Sequence, residues 1–330
     1  EPKLTASRFA PAKQRKEPSN AQLRGWANSE IWTETFILLF ELLSEKSLAE
    51  TETFLKHLVG KGLTTTGPRG YASLAQLLAE LAANPFVLLS AETRKRVRQQ
   101  CWRWIFALQS NQERFMSRHS VGSKVLRTLL RDTDGDLGKS WKAAGIGVDE
   151  LRYLKKLNLS QCPNLSDVSV LSSLENLTEL NLRGCTAVTD MQILAALPRL
   201  EVLIADSGPS FNNLEPLRDA TNLKTLILDY TGDLNGLRAV PSLENLHLHP
   251  RSNEEHAQSM DLSPLSQLPK LQFICVGAMR SPVKVVVKSP AITAPVMKKV
   301  VGSNGEYLTR FLRSSSSRFP KSSEARVIIV

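Results

Sequence analysis

The chain has 330 residues and a formal net charge of +10, with 42% hydrophobic and 22% charged residues. This composition is typical of a globular protein, and the length exceeds one domain of roughly 100–150 residues. The longest apolar run, Phe36 to Leu43, is interrupted by Glu41 and is much shorter than the roughly 20 residues of a transmembrane helix, so we expect no membrane partner. The 4 cysteines include no CxxC pair, which argues against a disulfide scaffold or a zinc site.

The charge is distributed unevenly along the chain. Basic residues exceed acidic residues by 7 in residues 1–149 and by 8 in residues 278–330, whereas residues 150–277 carry a net charge of −5. Together with the sequence patterns below, this distribution predicts four segments. They are a basic N-terminal extension (1–22), a helical domain (23–149), a repeat domain (150–277) and a basic C-terminal cap and tail (278–330).

Apolar residues at helical spacing predict four or five helices between residues 23 and 149. Leucines form the apolar stripes of the first two: Leu38, Leu39, Leu42 and Leu43, and Leu74, Leu77, Leu78 and Leu81. A third helix begins after Ser90 as N-cap and continues to Leu108, and a fourth covers Ser123 to Arg131. We expect this domain to cap the N-terminal end of the repeats that follow, whose leucines would otherwise be exposed to water.

The third predicted helix carries a dense basic cluster together with Trp102 and Trp104. Basic side chains on one helix face can bind phosphates, and an exposed tryptophan can stack on a base. The alternative is a solvated basic face with both tryptophans in the core. The predicted RNA-binding residues are Arg94, Lys95, Arg96, Arg98 and Arg103.

A stretch at the fourth helix resembles a known RNA-binding family. His119-Ser-Val-Gly-Ser-Lys-Val-Leu-Arg-Thr-Leu-Leu is similar to the core of one Pumilio-type repeat, and the resemblance implies RNA binding. No phosphate-binding loop is found, because Gly60-Lys-Gly and Gly67-Pro-Arg-Gly lack the G-x-x-x-x-G-K-[ST] spacing. We therefore expect no ATPase activity within this chain and no cofactor.

Residues 150–277 contain the pattern L-x-x-L-x-L in six copies, at spacings of 23, 23, 23, 20 and 28 residues. The copies are Leu154/Leu157/Leu159, Leu177/Leu180/Leu182, Leu200/Leu203/Ala205, Leu223/Leu226/Leu228, Leu243/Leu246/Leu248 and Leu271/Ile274/Val276. This pattern resembles that of leucine-rich-repeat proteins, in which each repeat gives a short strand and a return segment. Cys162-Pro-Asn-Leu-Ser-Asp and Cys185-Thr-Ala-Val-Thr-Asp resemble the cysteine-containing repeat class, in the style of trypanosomatid proteins.

The expected fold class is therefore α plus an α/β solenoid, in which an N-terminal helical domain caps six leucine-rich repeats and a basic extension follows. The leucines point inward, and the intervening strand residues form a concave face that solenoids commonly offer to partners. The predicted protein-binding residues on this face are Arg183, Ile204, Asp206, Ile227, Asp229, His247, His249 and Phe273.

Two features of that face leave alternatives open. Ile204 and Ile227 form an apolar patch that favours protein binding, although isoleucine also satisfies strand propensity. His247 and His249 lie two residues apart on one strand and so face the same way, next to Asp229. This arrangement is compatible with a metal or acid–base site, but we favour a pair that is solvated or contacts a partner, and we expect neither a metal nor a catalytic residue.

The C-terminal segment alternates valines with lysines around Val283 to Val287, which predicts one or two strands that cap the last repeat. The final Val-Ile-Ile-Val, Val327 to Val330, is apolar. We expect these residues to pair with a strand of this chain or of a neighbour, because unpaired apolar strands are rare at a free end.

These features favour a non-enzymatic scaffold or adaptor that binds protein through the solenoid and RNA through its basic flanks, as part of a large complex without a small-molecule substrate. The chain begins at Glu1 and not at Met, which suggests processing or a fragment. With the trypanosomatid-like repeats, a processed basic chain suits a component or assembly factor of a mitochondrial ribonucleoprotein such as the ribosome. The expected location is the mitochondrial matrix, or otherwise the cytoplasm.

Two other functions stay open from the sequence. Trp32-Thr-Glu-Thr-Phe-Ile-Leu-Leu-Phe-Glu-Leu-Leu, followed by leucine-rich repeats, is similar to the region preceding the repeats in signalling ATPases. The resemblance implies the ligand-sensing C-terminal half of such an ATPase, with its nucleotide-binding domain upstream of Glu1. The third option is an enzyme that uses His247 and His249.

Overall fold

A computed structural model describes residues 18–60, 71–109, 122–189, 192–208, 214–230, 234–250, 259–261, 263–276, 284–286 and 326–329. The chain divides into two compact units, 1–94 and 95–330. No helix within the described ranges is long and apolar enough to cross a membrane. Most of the predicted N-terminal extension and C-terminal tail lies outside these ranges, as do the first three residues of the Pumilio-like stretch, and the four segment boundaries stay predictions.

The first unit contains α1 (Asn20–Ala27), α2 (Thr33–Lys46), α3 (Leu48–Val59) and α4 (Ala72–Ala83), with a 3₁₀ helix at Glu30–Trp32. A capping box starts α1: the backbone N–H of Gln22 donates to Ser19 Oγ, and Gln22 Oε1 accepts from the backbone N–H of Ser19. The apolar stripe predicted for α4 is confirmed, because its leucines are all buried: Leu74, Leu77, Leu78 and Leu81.

The core face of α2 differs from the predicted stripe. Phe36 and Phe40 are buried and lie next to Phe54 of α3, with ring centroids 6.4 and 5.4 Å apart. These two rings lie one helical turn apart and fill the core, so Leu38 and Leu42 on the opposite side face solvent. The predicted helix is confirmed, whereas the predicted apolar stripe is wrong for Leu38 and Leu42, because the phenylalanines on the other side form the core face.

The long helix α5 (Ala91–Gln109) begins in the first unit and continues into the second. Ser90 is its N-cap, as predicted, since Ser90 Oγ accepts from the backbone N–H of Thr93 at 3.2 Å. The Ser90 hydroxyl also donates to Glu52 at 2.6 Å. Hydrogen bonds from Ser90 and Thr93 lower the pKa of Glu52 below its ordinary value, so this carboxylate stays ionised.

In the second unit, α5 is followed by α6 (Ser123–Arg131), which is confirmed over the predicted residues, and by α7 (Leu137–Ala143). Trp102 and Trp141 form the centre of this group, with ring centroids 6.0 Å apart in an edge-to-face arrangement. The Trp102 indole N–H donates to Ser140 Oγ at 3.3 Å. These contacts tie α5 to α7 through a hydrogen-bonded aromatic core.

The turn between α6 and α7 is hydrogen-bonded to the start of the repeat region. The backbone N–H of Leu137 donates to the Asp167 carbonyl, and that of Ser166 donates to the Gly135 carbonyl, both at 3.0 Å. Gly135 has a φ of +76°, and a Cβ there would overlap the carbonyl oxygen of Asn164. Glycine is therefore required at this position, both by the left-handed backbone and by the close approach.

The repeat region forms a parallel sheet of seven described strands, which are named next in their order across the sheet. Its strands are β1 (Lys156–Asn158), β2 (Glu179–Asn181), β3 (Val202–Ala205), β4 (Thr225–Tyr230), β5 (Asn245–Pro250), β7 (Phe273–Val276) and β9 (Arg326–Ile329). From β1 to β7, paired residues advance by 23, 23, 23, 20 and 28 positions, as the leucine pattern predicts. The leucines of adjacent repeats are buried side by side.

Each return segment is a single short helical turn. They are Ser169–Ser173, α8 (Gln192–Ala195), Glu215–Asp219, Asn235–Ala239 and Ser263–Gln267, of which α8 is α-helical and the others are 3₁₀. Asn158 and Asn181 end the first two strands in the same way, because each side-chain oxygen accepts from the backbone N–H two residues later. Alternating strands and turns give an α/β solenoid of leucine-rich-repeat type.

The end of the chain returns to this sheet. β9 pairs in parallel with β7, with Arg326 opposite Phe273 and Ile329 opposite Val276. The expectation that the terminal apolar residues pair with a strand is therefore confirmed. A separate parallel pair joins β6 (Ser259–Asp261) and β8 (Lys284–Val286).

Candidate functional site

The predicted protein-binding face is built by the parallel register. Asn158, Asn181, Ile204, Ile227, His247 and Cys275 lie in register across six neighbouring strands. A second column, two residues further along each strand, brings together Ser160, Arg183, Asp206, Asp229 and His249. The structure thus places the predicted residues together on one side of the sheet.

The expectation that this face is exposed is wrong for most of it. Ile204 and Ile227 have 0% exposure, and Arg183, Asp206, His247 and Phe273 are also buried. Asp229 and His249 alone among the eight predicted residues keep partial exposure. Residue alternation along a strand predicts which side chains share a face. It does not predict whether that face is buried, because burial depends on the tertiary structure.

The buried column is organised around one ion pair. Arg183 Nε donates to Asp206 Oδ1 at 2.7 Å, and both side chains are only 4% exposed. His249 Nε2 lies 4.0 Å from Asp206 Oδ2, while Asp229 accepts a hydrogen bond from the backbone N–H of Ser207. Because these acidic side chains already have partners within the chain, the cluster has the character of a structural network.

His247 is not suited to act as a charged group near neutral pH. Burial, and then the nearby His249, lower its pKa from 6.5 to about 4, although Asp206 opposes the shift. The centroid of its ring lies 5.4 Å from that of Phe273 on the neighbouring strand β7. No group of three or more His, Cys, Asp or Glu side chains that could hold a metal ion occurs in the part of the chain that the structure describes.

Cys162 and Cys185 are buried in successive repeats. The Cys185 thiol donates to the Leu159 carbonyl at 3.1 Å, and burial raises the pKa of Cys185 to about 12. Both thiols are therefore protonated at neutral pH and serve as small core side chains. Core packing therefore accounts for both cysteines.

The basic cluster predicted on α5 has several structural roles. In the first unit, the Arg94 guanidinium donates to the backbone carbonyls of Ala82, Asn84 and Val87, which follow the end of α4. In the second unit, Arg98 pairs with Asp132 at 2.6 Å. Both side chains are only partly exposed and are held by carbonyl and carboxylate partners, so they are poor candidates for binding RNA phosphates.

The remaining basic residues of α5 differ among themselves. The Lys95 side chain lies against Gly145, whereas Arg96 and Arg103 are exposed and lie seven residues apart on one helix face. Trp102 and Trp104 are buried, so the expectation of an exposed, base-stacking tryptophan is wrong. Trp102 packs with Phe106 and Trp141, and Trp104 is 1% exposed, so both tryptophans belong to the core, as in the alternative.

Sequence reasoning missed a clearer basic face on α6. Lys124, Arg127 and Arg131 are all exposed at spacings of three and four residues, while Val125, Leu126, Leu129 and Leu130 on the opposite side are buried. The burial of one side fixes the orientation of the helix, so the three basic side chains share the outward face. The spacing was visible in the sequence, but the denser cluster on α5 drew the prediction.

Comparisons with known proteins give partial matches to solved structures. The chain is similar to an internalin C2 structure from Listeria monocytogenes, with 28% identity, 42% of this chain and 57% of that chain covered, and a TM-score of 0.35. An internalin F structure from the same organism is 25% identical over 44% of this chain and 39% of that chain, with a TM-score of 0.34. The chain thus spans little more than half of the first and less than half of the second.

A further similar structure is that of a TLR13–ssRNA13 complex, with 22% identity over 44% of this chain and 21% of that chain, and a TM-score of 0.30. No family model matches the sequence, and no curated protein matches it. The leucine register and the parallel sheet described above give an α/β solenoid fold, and the Pumilio-like and trypanosomatid-like features stay predictions.

Proposed function

We propose that this protein is a non-enzymatic adaptor that holds a protein partner and RNA together within a larger complex. The leucine-rich-repeat architecture supports the protein-binding part, because solenoids of this kind offer extended surfaces to partners. In this proposal the array consists of six repeats and the helical domain caps its first repeat. Support comes from the six strands in register, β1 to β5 and β7, and from the Leu137–Asp167 hydrogen bond.

The proposed protein-binding surface of the solenoid is narrower than the predicted one. Asp229 and His249 keep partial exposure, and Ser207 beside Asp229 is exposed. We assign the partner contact to these residues near the ends of β4 and β5, because the other predicted residues are buried and have packing roles. An enzymatic role for His247 and His249 has little support, since a buried histidine with a pKa near 4 is a weak base at neutral pH.

One observation carries the RNA-binding part of the proposal: the outward row of Lys124, Arg127 and Arg131 on α6. An exposed basic row attracts phosphates, and binding gains free energy from the release of counterions. Arg96 and Arg103 on the exposed side of α5 add positive charge in the same unit. The net charge of +10 has the sign that a polyanion partner requires.

The test is a salt titration of RNA affinity with the full chain and a fluorescent single-stranded RNA. The triple variant Lys124→Glu/Arg127→Glu/Arg131→Glu should weaken binding and reduce the slope of log K against log salt by about 2, since each contact to a single strand contributes roughly 0.7. Lys46→Glu/Lys56→Glu, which reverses two exposed charges of the first unit, is the control. Equal affinity and slope in the triple variant and the wild type would refute this interface.

The proposed setting is a mitochondrial ribonucleoprotein such as the ribosome or one of its assembly intermediates. The basic flanks support association with RNA, while the compartment rests on the resemblance of the repeats alone. Purification of the tagged protein from mitochondria, with and without RNase, tests this setting, and co-purification of ribosomal RNA is the expected result. The alternative of a signalling ATPase is not favoured.

A further inference from the structure

The first unit presents an unusual apolar surface along α2. Ile31 in the preceding 3₁₀ helix and Leu38 and Leu42 in α2 are 86%, 59% and 57% exposed. Ile31, Leu38 and Leu42 are separated by seven and four residues, which are spacings that place side chains along one side of a helix. Single exposed leucines are ordinary, but a row at this spacing marks a surface for helix packing.

A second segment adds apolar side chains beside this helix. The backbone N–H of Leu88 donates to Ser44 Oγ, and the Asn84 side-chain amide donates to Glu41, both at 2.8 Å. These hydrogen bonds hold residues 84–88 against α2. Phe86 and Leu88 in this segment are 75% and 50% exposed. We refer to Ile31, Leu38 and Leu42 together as the α2 apolar face, and Phe86 and Leu88 belong to the segment held against the same helix.

Two glutamates and one lysine are exposed beside the α2 apolar face, and the lysine, Lys46, lies four residues after Leu42, so these three charges are net acidic. Glu34 and Glu45 are exposed and lie four residues before Leu38 and three residues after Leu42, on the same side of the helix. Two copies of this chain paired across a two-fold axis would place these carboxylates close to one another, and like charges at an interface disfavour association. A basic partner would neutralise them.

We propose that the α2 apolar face binds an amphipathic helix of another protein, with apolar residues at i, i+3 or i+4, and i+7, and with lysines or arginines at both ends. The apolar residues of that helix would pack on Leu38 and Leu42, and its basic ends would face Glu34 and Glu45. This site lies in the first unit and goes beyond the proposed function, because it uses neither the solenoid nor the basic face of α6.

The probe is a synthetic helical peptide with leucines at this spacing and lysines at both ends, labelled for fluorescence anisotropy. The full chain should bind it, and Leu38→Ala and Leu42→Ala should each weaken binding about tenfold. Tyr153→Ala is the matched control, because Tyr153 in the second unit is 66% exposed and should not affect the peptide. Circular dichroism of each variant verifies that the fold is retained, as expected for changes at exposed positions.

Charge reversal separates this site from general hydrophobic adhesion. Glu34→Lys/Glu45→Lys should weaken binding of the lysine peptide and strengthen binding of a matched peptide with glutamates at both ends. Equal binding of the two peptides by the wild type, or peptide binding that is unaffected by the leucine variants, would overturn the proposal.

Two further measurements distinguish binding of another protein from self-association and from RNA binding. In analytical sedimentation, the wild-type chain should not form a dimer through the α2 apolar face. A wild-type dimer that becomes a monomer in Leu38→Ala/Leu42→Ala would assign the face to a second copy of this chain and overturn the proposal. RNA affinity of the leucine variants should equal that of the wild type. A loss of peptide binding with RNA binding retained therefore tests this site independently of the α6 interface.

Discussion

The buried ion pair between Arg183 and Asp206 gives the sharpest test of the solenoid interior. Replacing Arg183 with Met keeps much of the side-chain volume but leaves the Asp206 carboxylate uncompensated, 4% exposed, in a region of low dielectric. Removing one partner of a buried pair typically costs about 3–5 kcal/mol, because the remaining charge keeps its desolvation penalty. We expect the free energy of unfolding of Arg183→Met to fall by about this amount.

The matched control is a second ion pair between neighbouring repeats. Lys224 and Glu201 are 3.1 Å apart, but their side chains are 46% and 45% exposed. Because solvent screens this pair, Lys224→Met should cost less than about 1 kcal/mol. The double variant Arg183→Met/Asp206→Leu should recover most of the lost stability, since Arg183 Nη2 is buried without a hydrogen-bond partner and the pair is only partly compensated.

Urea unfolding of the full chain, followed by far-ultraviolet circular dichroism at pH 7, measures all three variants. The expected order of stability places Lys224→Met next to the wild type, then the double variant, and Arg183→Met last. If Arg183→Met costs no more than Lys224→Met, the charge on Asp206 is reached by water and this side of the sheet is not buried as described. If the double variant is as unstable as the single one, lost packing explains the effect and the uncompensated charge does not.

Two further predictions concern pH and backbone geometry. His247 has a folded-state pKa of about 4 against 6.5 unfolded, so the unfolded chain binds more protons between these values and stability falls by about 3 kcal/mol as the pH drops through this window. His247→Phe should remove this contribution from urea midpoints measured at pH 7 and pH 4.5, and an unchanged pH dependence would contradict the assignment. Gly135→Ala should lower the free energy of unfolding by about 2 kcal/mol or more, because alanine strains the left-handed backbone and overlaps Asn164. Gly25→Ala in α1 is the control: there is open space for its Cβ, so the free energy of unfolding should rise by up to about 1 kcal/mol in the same urea assay.

The basic residues show which features local sequence patterns predict and which they do not. Residues 94–103 predict a charged helix, and the helix is present, but Arg94 donates to carbonyls at residues 82–87 and Arg98 pairs with Asp132. Those partners are distant in sequence and carry no local signal. On α6 the exposed basic row follows directly from spacing, because the apolar residues between its members fix which side is buried. Helix α2 lies between these cases, since apolar residues occur on both of its sides and sequence alone does not choose between them.

The leucine spacing by itself determined the repeat register, the inward columns and the positions of the return turns. Each of these depends on neighbours within one repeat and on stacking at a constant period, which is encoded residue by residue. Only the tertiary structure decided that Ile204 and Ile227 are buried, that β9 extends the sheet beside β7, and that Leu38 and Leu42 remain outside the core. Strand alternation and helical spacing assign side chains to faces, whereas the covering of a face depends on segments that are far apart in the chain.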